Sequence, residues 1–166
     1  MLLVCTTSGC VADNEPDGPQ IGPGDLVPDF SVVMNNGETV SSQQLKGKVA
    51  VIVFFNTACK DCQQELPIIQ QLWDFYDDNP GVEIVLIARE ESEASISAYW
   101  TTHGFTMPYS PQEDRKVYSL FAPSVIPRIY ISNPEGVVTA AYGDTDMPTI
   151  DTLISDIEKA DPALKN

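Results

Sequence analysis

The chain has 166 residues, 43% of them hydrophobic, which suits one globular domain with a single core and leaves no room for a second catalytic domain. Its 24 acidic residues against nine basic ones give a formal net charge of -15. Such a surface repels phosphate backbones and anionic lipid, so we expect no nucleic-acid binding.

The first 24 residues differ from the rest. A short apolar start is followed by small residues, by Cys10, and by a Pro-, Gly- and acid-containing stretch with no hydrophobic period, which is typical of a flexible tether. Thr7-Ser8-Gly9-Cys10 resembles the lipidation box of bacterial lipoproteins, and this resemblance implies a lipid on Cys10. The alternative is an ordinary tail with incidental cysteines. We therefore divide the chain into a signal remnant and acidic tether, residues 1–24, and a domain, residues 25–166.

A hairpin is predicted at the start of the domain. Phe30 to Met34 and Glu38 to Val40 flank Asn35-Asn36-Gly37, and the Asn-Gly step is a strong hairpin signal. No apolar run here or elsewhere approaches the roughly 20 residues of a membrane-spanning helix. A lipid on Cys10 is therefore the one membrane attachment that the sequence predicts.

The next elements form a crossover. Val49 to Phe55 is too uniformly apolar for a half-exposed strand and is predicted to be central, covered on both faces by helices. Gln63 to Tyr76 has helical spacing, and Glu83 to Ala88 is a second buried strand. A strand, a helix and a strand in this order predict a parallel pair.

The last third of the chain completes an α/β pattern. Ser95 to Thr102 is a predicted helix, and Arg128 to Ser132 with Val137 to Tyr142 form a predicted antiparallel hairpin. Ile150 to Ala160 is a final amphipathic helix. The order of elements predicts a mixed central sheet with helices on both faces.

The motif Cys59-Lys60-Asp61-Cys62 stands where the central strand gives way to a helix. Two cysteines at this spacing can exchange electron pairs by closing and opening a disulfide. Unpaired N–H groups and the helix dipole favour a thiolate at Cys59, which is therefore the predicted attacking sulfur. Cys62, one turn further on, is the predicted resolving thiol. Lys60 supports the thiolate, whereas Asp61 and Glu65 oppose it.

Other interpretations of this motif are weaker. A purely stabilising disulfide is disfavoured, because so short a ring removes little entropy from the unfolded chain. A structural zinc site needs four ligands, and the chain has no second cysteine pair of this spacing and one histidine, His103, which we interpret as a surface or capping residue. We therefore expect no metal, and no cofactor besides the Cys59–Cys62 disulfide.

In their order and spacing these motifs resemble the TlpA/ResA-like thiol-disulfide oxidoreductases of the AhpC/TSA-redoxin superfamily. The resemblance covers about residues 25 to 160. It is carried by Val27-Pro28-Asp29-Phe30, Leu45-Lys46-Gly47-Lys48, the cysteine pair, Pro67 and Ile126-Pro127. The resemblance implies a thioredoxin-like three-layer sandwich with an N-terminal β-hairpin.

The resemblance also implies roles for residues beyond the cysteine pair. In this fold the proline of Ile126-Pro127 is cis and faces the disulfide, so that Pro127 belongs to the catalytic site and Ile126 to the substrate-docking surface. Ala58 and Arg128 lie on the same surface but depart from the family pattern, which usually has Trp and Thr at these positions. Val53 stands where thioredoxins bury a catalytic Asp.

Because Val53 supplies no general base, another carboxylate is needed. Glu90, with Glu91 beside it just past the second buried strand, is a candidate acid or base. The alternative for this pair is a solvated loop.

The leading functional hypothesis is a thiol-disulfide oxidoreductase that reduces disulfides of extracytoplasmic proteins. Its expected partners are disulfide-containing proteins and an upstream dithiol donor, and the expected form is a monomer in the cell envelope or periplasm. One alternative is a thioredoxin-fold peroxidase, although such enzymes normally have Thr three and Pro seven positions before the attacking cysteine, where this chain has Asn56 and Ile52. The other alternative is a non-catalytic interaction module of the same fold.

Overall fold

The computed structural model describes residues 20–165, so Cys10 and most of the proposed tether lie outside the described residues. The helices are α1 (Ser42–Leu45), α2 (Lys60–Tyr76), α3 (Glu93–His103) and α4 (Ile150–Ala160). The strands are β1 (Ser31–Val33), β2 (Thr39–Ser41), β3 (Val49–Phe55), β4 (Val82–Ala88), β5 (Tyr109–Ser110), β6 (Arg128–Ser132) and β7 (Val138–Tyr142).

The main sheet has five strands in the order β5-β4-β3-β6-β7. Strand β3 is central, parallel to β4 and antiparallel to β6. All seven of its residues are buried, as its continuous apolar sequence predicts. The mixed sheet and the β3-α2-β4 crossover are therefore confirmed, and the crossover brings the carboxyl ends of β3 and β4 to the same edge of the sheet.

Alternate residues of β3 face two different layers of core. Val51, Val53 and Phe55 pack with the buried faces of α2, α3 and α4. On the other face, Ile52 and Phe54 pack with the hairpin, α1 and the short helical turn at 118–120. Helical segments thus cover both faces of the sheet, and the predicted three-layer architecture is confirmed.

The N-terminal hairpin forms a separate two-stranded sheet. Strands β1 and β2 are antiparallel, with Val32 opposite Val40. The turn between them needs Gly37, whose φ of 86° lies in the left-handed region. The predicted hairpin is therefore confirmed.

Strand β5 was not predicted. It has two residues and pairs in parallel with β4 through Tyr109 and Ser110. Two residues are too few to show a hydrophobic period, and their burial depends on neighbours distant in sequence. Within residues 20–165 no helix is long and apolar enough to cross a membrane.

Candidate active site

Cys59 caps the amino terminus of α2. Its backbone is extended, with φ -80° and ψ 123°, and its Sγ accepts a hydrogen bond from the backbone N–H of Cys62 at 3.4 Å. A sulfur at this position faces the unpaired backbone N–H groups of the first helical turn and the positive end of the helix dipole. This geometry is the one that the sequence predicts for the attacking sulfur.

Cys62 is in a different environment. Its side chain is 0% exposed, whereas Cys59 is partly exposed, and both residues are free thiols in this structure. Burial raises the pKa of Cys62 far above its usual range, and Arg89 lowers it by a smaller amount. Cys62 is therefore held as a neutral thiol until another group takes its proton.

The loop before β6 lies against the attacking cysteine. The Ile126-Pro127 bond is cis, as predicted, and Pro127 is buried. The Cys59 thiol donates to the Ile126 carbonyl oxygen, with Sγ and O 3.6 Å apart. The structure thus brings the cysteine pair and the proline loop together, although they are more than 60 residues apart in sequence.

The turn that carries Cys59 is anchored by Glu91. The carboxylate of Glu91, which is 7% exposed, accepts from the Thr57 backbone N–H at 2.7 Å, from the Thr57 hydroxyl, and from the Ser95 hydroxyl at 2.7 Å. Gln63 donates to the Thr57 carbonyl at 2.7 Å. Glu91 is therefore not a solvated loop residue, which was the alternative interpretation of Glu90 and Glu91. Its hydrogen bonds fix the turn that precedes Cys59.

Glu90 has a different position. Its side chain is 48% exposed, and its Oε2 lies 3.7 Å from the Nε of Arg89 and 3.9 Å from a terminal nitrogen of Arg115. Its φ of 56° is uncommon for a residue other than glycine. The candidate acid-base role of Glu90 stays a prediction.

Glu65, which the sequence interpretation treats only as a charge that opposes the thiolate, is a further candidate site residue. Its side chain is 2% exposed, and neither carboxylate oxygen has a hydrogen-bond partner among the described residues. Burial raises the pKa of Glu65 to about 7. It lies one turn after Cys62 on the buried face of α2, so a wheel of that helix could have identified it.

Comparisons with known proteins place this site in a family. The sequence profile of the AhpC/TSA family matches residues 23–141, most of the described chain. The chain belongs to the AhpC/TSA family. Within it, the chain is 32% identical over 116 residues to the thioredoxin-like protein YneN of Bacillus subtilis, which covers 69% of this chain and 68% of that protein.

The thiol-disulfide oxidoreductase ResA of Bacillus subtilis is 27% identical over 146 residues, 87% of this chain and 81% of that one. Among solved structures, a thiol:disulfide interchange protein of the thioredoxin family from Chlorobium tepidum superposes with a TM-score of 0.69 at 24% identity, covering 86% of this chain and 99% of the other. The predicted thioredoxin fold and the predicted enzyme class, thiol-disulfide oxidoreductase, are confirmed.

Ala58 and Arg128, the two residues of the predicted docking surface that depart from the family pattern, both lie near Cys59 in sequence or in the fold. Ala58 is exposed directly before Cys59 and donates its backbone N–H to the Asn56 side chain at 2.9 Å. Arg128 begins β6 and donates to the Ser124 carbonyl oxygen at 3.1 Å. His103 is exposed at the end of α3, as predicted.

Proposed function

We propose that this protein is a protein-disulfide reductase that acts outside the cytoplasm. The observation that carries the proposal is the pairing of a partly exposed Cys59 at a helix amino terminus with a fully buried Cys62 one turn away. The first sulfur can meet a large substrate, and the second can meet only Cys59. This arrangement suits sequential attack and resolution.

The exchange follows from the sulfur chemistry. The Cys59 thiolate attacks one sulfur of a substrate disulfide, and the other substrate sulfur leaves with the electron pair of the broken bond. The Cys62 sulfur then attacks Cys59, which releases the second substrate thiolate and leaves a Cys59–Cys62 disulfide. Two electrons pass to the substrate, and an upstream dithiol restores the reduced protein.

The resolving step needs a proton acceptor, because burial keeps Cys62 protonated. Glu65 lies on the same helix face, and its pKa of about 7 lets it accept and return a proton near neutral pH. We assign Glu65 this role, which sequence interpretation had offered to Glu90.

The reductive direction is part of the proposal. A strong dithiol oxidant needs a strongly stabilised thiolate at its attacking sulfur. Lys60 supports a thiolate at Cys59 but the neighbouring Asp61 opposes it, so we expect the pair to give electrons to a substrate disulfide.

The extracytoplasmic location is supported by the N-terminal pattern and by the chemistry. Small residues before Cys10 and a tether behind it are typical of exported anchored proteins, and stable protein disulfides occur mainly in oxidising compartments. The substrates are disulfide-containing proteins, and lipid on Cys10 is the proposed anchor.

Two parallel assays test the reductase function. The reduced protein is expected to reduce insulin disulfides and to consume hydrogen peroxide no faster than a variant in which Cys59 and Cys62 are both serine. Insulin reduction is followed by precipitation of the free B chain, and peroxide by its absorbance. Faster peroxide consumption with no insulin reduction would replace the proposal with the peroxidase function, and inactivity in both would support an interaction module.

A further inference from the structure

The backbone carbonyl groups of the proline loop, residues 123–127, are held by side chains. Arg115, which lies before the loop, donates to the Pro123 carbonyl oxygen at 3.0 Å. Arg128, the first residue of β6, donates to the Ser124 carbonyl oxygen at 3.1 Å. Hydrogen bonds from a guanidinium group are stronger than those from neutral donors, so these two bonds hold the first part of the loop in place.

The next two carbonyl groups of the loop have different donors. The Tyr118 hydroxyl donates to the Val125 carbonyl oxygen at 2.7 Å. The Ile126 carbonyl oxygen is the acceptor of the Cys59 thiol described above. Because Val125 directly precedes Ile126, a change in the backbone angles of Val125 would move the acceptor that lies against the attacking sulfur.

Val125 has an uncommon backbone conformation. Its φ of 75° lies in the left-handed region, where a β-branched residue is a genuine outlier. Such a conformation persists only when the surrounding structure enforces it, and the places where it persists are often functional. The hydrogen bond from Tyr118 acts directly on this residue, so it opposes relaxation of Val125 to a negative φ.

Tyr118 is a rigid point of attachment for the loop. Its side chain is 1% exposed, and its ring packs edge-on against Phe54 of the central strand, with ring centres 5.4 Å apart. The guanidinium carbons of Arg89 and Arg115 lie 5.0 and 5.5 Å from the Tyr118 ring centre. Burial raises the pKa of Tyr118, so its hydroxyl keeps the proton that it donates.

We propose that Tyr118 is a positioning residue for the docking of polypeptide substrates, because its hydroxyl holds Val125 in the left-handed conformation and so fixes the proline loop beside Cys59. The inference rests on the proposed reductase function. Val125, Ile126 and Cys59 all line a cleft of about 510 Å³, so a substrate that reaches the attacking sulfur also meets this loop. Tyr118 lies behind the loop and takes no part in the exchange of electrons.

A large and a small disulfide test the inference. The reduced protein is mixed with excess insulin or with hydroxyethyl disulfide, and oxidation of the Cys59–Cys62 pair is followed by trapping with an alkylating agent and peptide mapping. Tyr118→Phe is expected to react about tenfold more slowly with insulin, as for one lost buried hydrogen bond, and within about twofold of the native rate with hydroxyethyl disulfide. The small disulfide has no peptide backbone to lie along the loop.

Tyr130→Phe is the matched control. Tyr130 is also 1% exposed, and its hydroxyl donates to the Phe121 carbonyl oxygen at 3.4 Å, outside the proline loop. That carbonyl also accepts from the Ile21 backbone N–H at 2.9 Å, so it keeps a donor in the variant. Tyr130→Phe is therefore expected to react with both disulfides within about twofold of the native rate.

A glycine at position 125 separates the hydroxyl's effect on the loop from a general effect on packing. Glycine adopts a positive φ at no steric cost, so the strain that Tyr118 opposes is absent in Val125→Gly. On this background Tyr118→Phe is expected to slow insulin reduction by about threefold or less, compared with about tenfold on the native background. Comparison within each background removes the effect of Val125→Gly itself.

Each contrary outcome has a distinct meaning. An unchanged rate of Tyr118→Phe with insulin would overturn the inference and leave the reductase function standing. An equal loss with both disulfides, or an equal loss in Tyr130→Phe, would mean that the hydroxyl supports the cysteine pair or the fold in general, and the inference would fail. A full tenfold loss on the Val125→Gly background would also overturn it. No reaction of the native protein with either disulfide would overturn both proposals.

Discussion

Replacing Cys59 with serine is expected to abolish disulfide reduction, with a loss of at least about 10³-fold, because the hydroxyl cannot act as the attacking thiolate. Replacing Cys62 with serine is expected to stop turnover as completely but at a later step. The intact Cys59 still attacks, and without a resolving sulfur the mixed disulfide accumulates. Turnover is measured with insulin, and the covalent adduct by mass spectrometry of the intact protein.

The two variants control for each other, since each removes one sulfur from the same turn. An adduct is expected on Cys62→Ser and not on Cys59→Ser. An adduct on Cys59→Ser and none on Cys62→Ser would mean that Cys62 attacks and Cys59 resolves. Retained turnover in either variant would show that exchange does not pass through this pair.

Replacing Glu65 with glutamine is expected to stabilise the protein by an amount that grows with pH. Folding raises the pKa of this carboxyl from 4.5 to about 7, so the folded state holds its proton longer than the unfolded state. Stability of the native sequence therefore falls as pH rises between these two values. The difference, about 2.5 pKa units, is worth about 3 kcal/mol. The Glu65→Gln variant has no carboxyl group at this position, so its stability does not fall in this way as pH rises.

Urea denaturation at pH 4.5, 6 and 8 measures the effect as the difference in unfolding free energy between variant and native protein. Glu135→Gln removes the same charge from the exposed β6–β7 turn and gives the baseline. A Glu65→Gln difference that stayed constant with pH would mean that the carboxyl is not buried in solution. At pH 8 the same variant is also expected to slow the resolving step, since Cys62 then loses its proton acceptor.

Local sequence patterns identified the scaffold of the site. The apolar run of β3 had one stable environment, the centre of a sheet, and the change from a strand to a helical period placed Cys59 at a helix start. The proline loop was found by resemblance, because no local pattern connects Ile126-Pro127 with a cysteine pair more than 60 residues earlier.

Charged groups around the site were predicted less well. Glu65 was predicted only as a charge that opposes the thiolate, because an acidic residue near the motif does not by itself show that its side chain is buried. Glu91 was considered only together with Glu90. Its hydrogen-bond partner Thr57 is 34 residues away in sequence, so no local pattern shows the contact. Arg89 and Arg128 lie at the same edge of the sheet because β4 ends there and the antiparallel strand β6 begins there, which only the topology shows.

Selective alkylation tests the central claim most directly. The reduced native protein is treated with less than one equivalent of iodoacetamide near neutral pH, and the label is located by peptide mapping. We predict that, of the label carried by the Cys59–Cys62 pair, nearly all lies on Cys59, because Cys62 is 0% exposed and burial keeps it protonated. Preferential labelling of Cys62 would contradict the assignment of attacking and resolving sulfurs on which the proposed reductase mechanism depends.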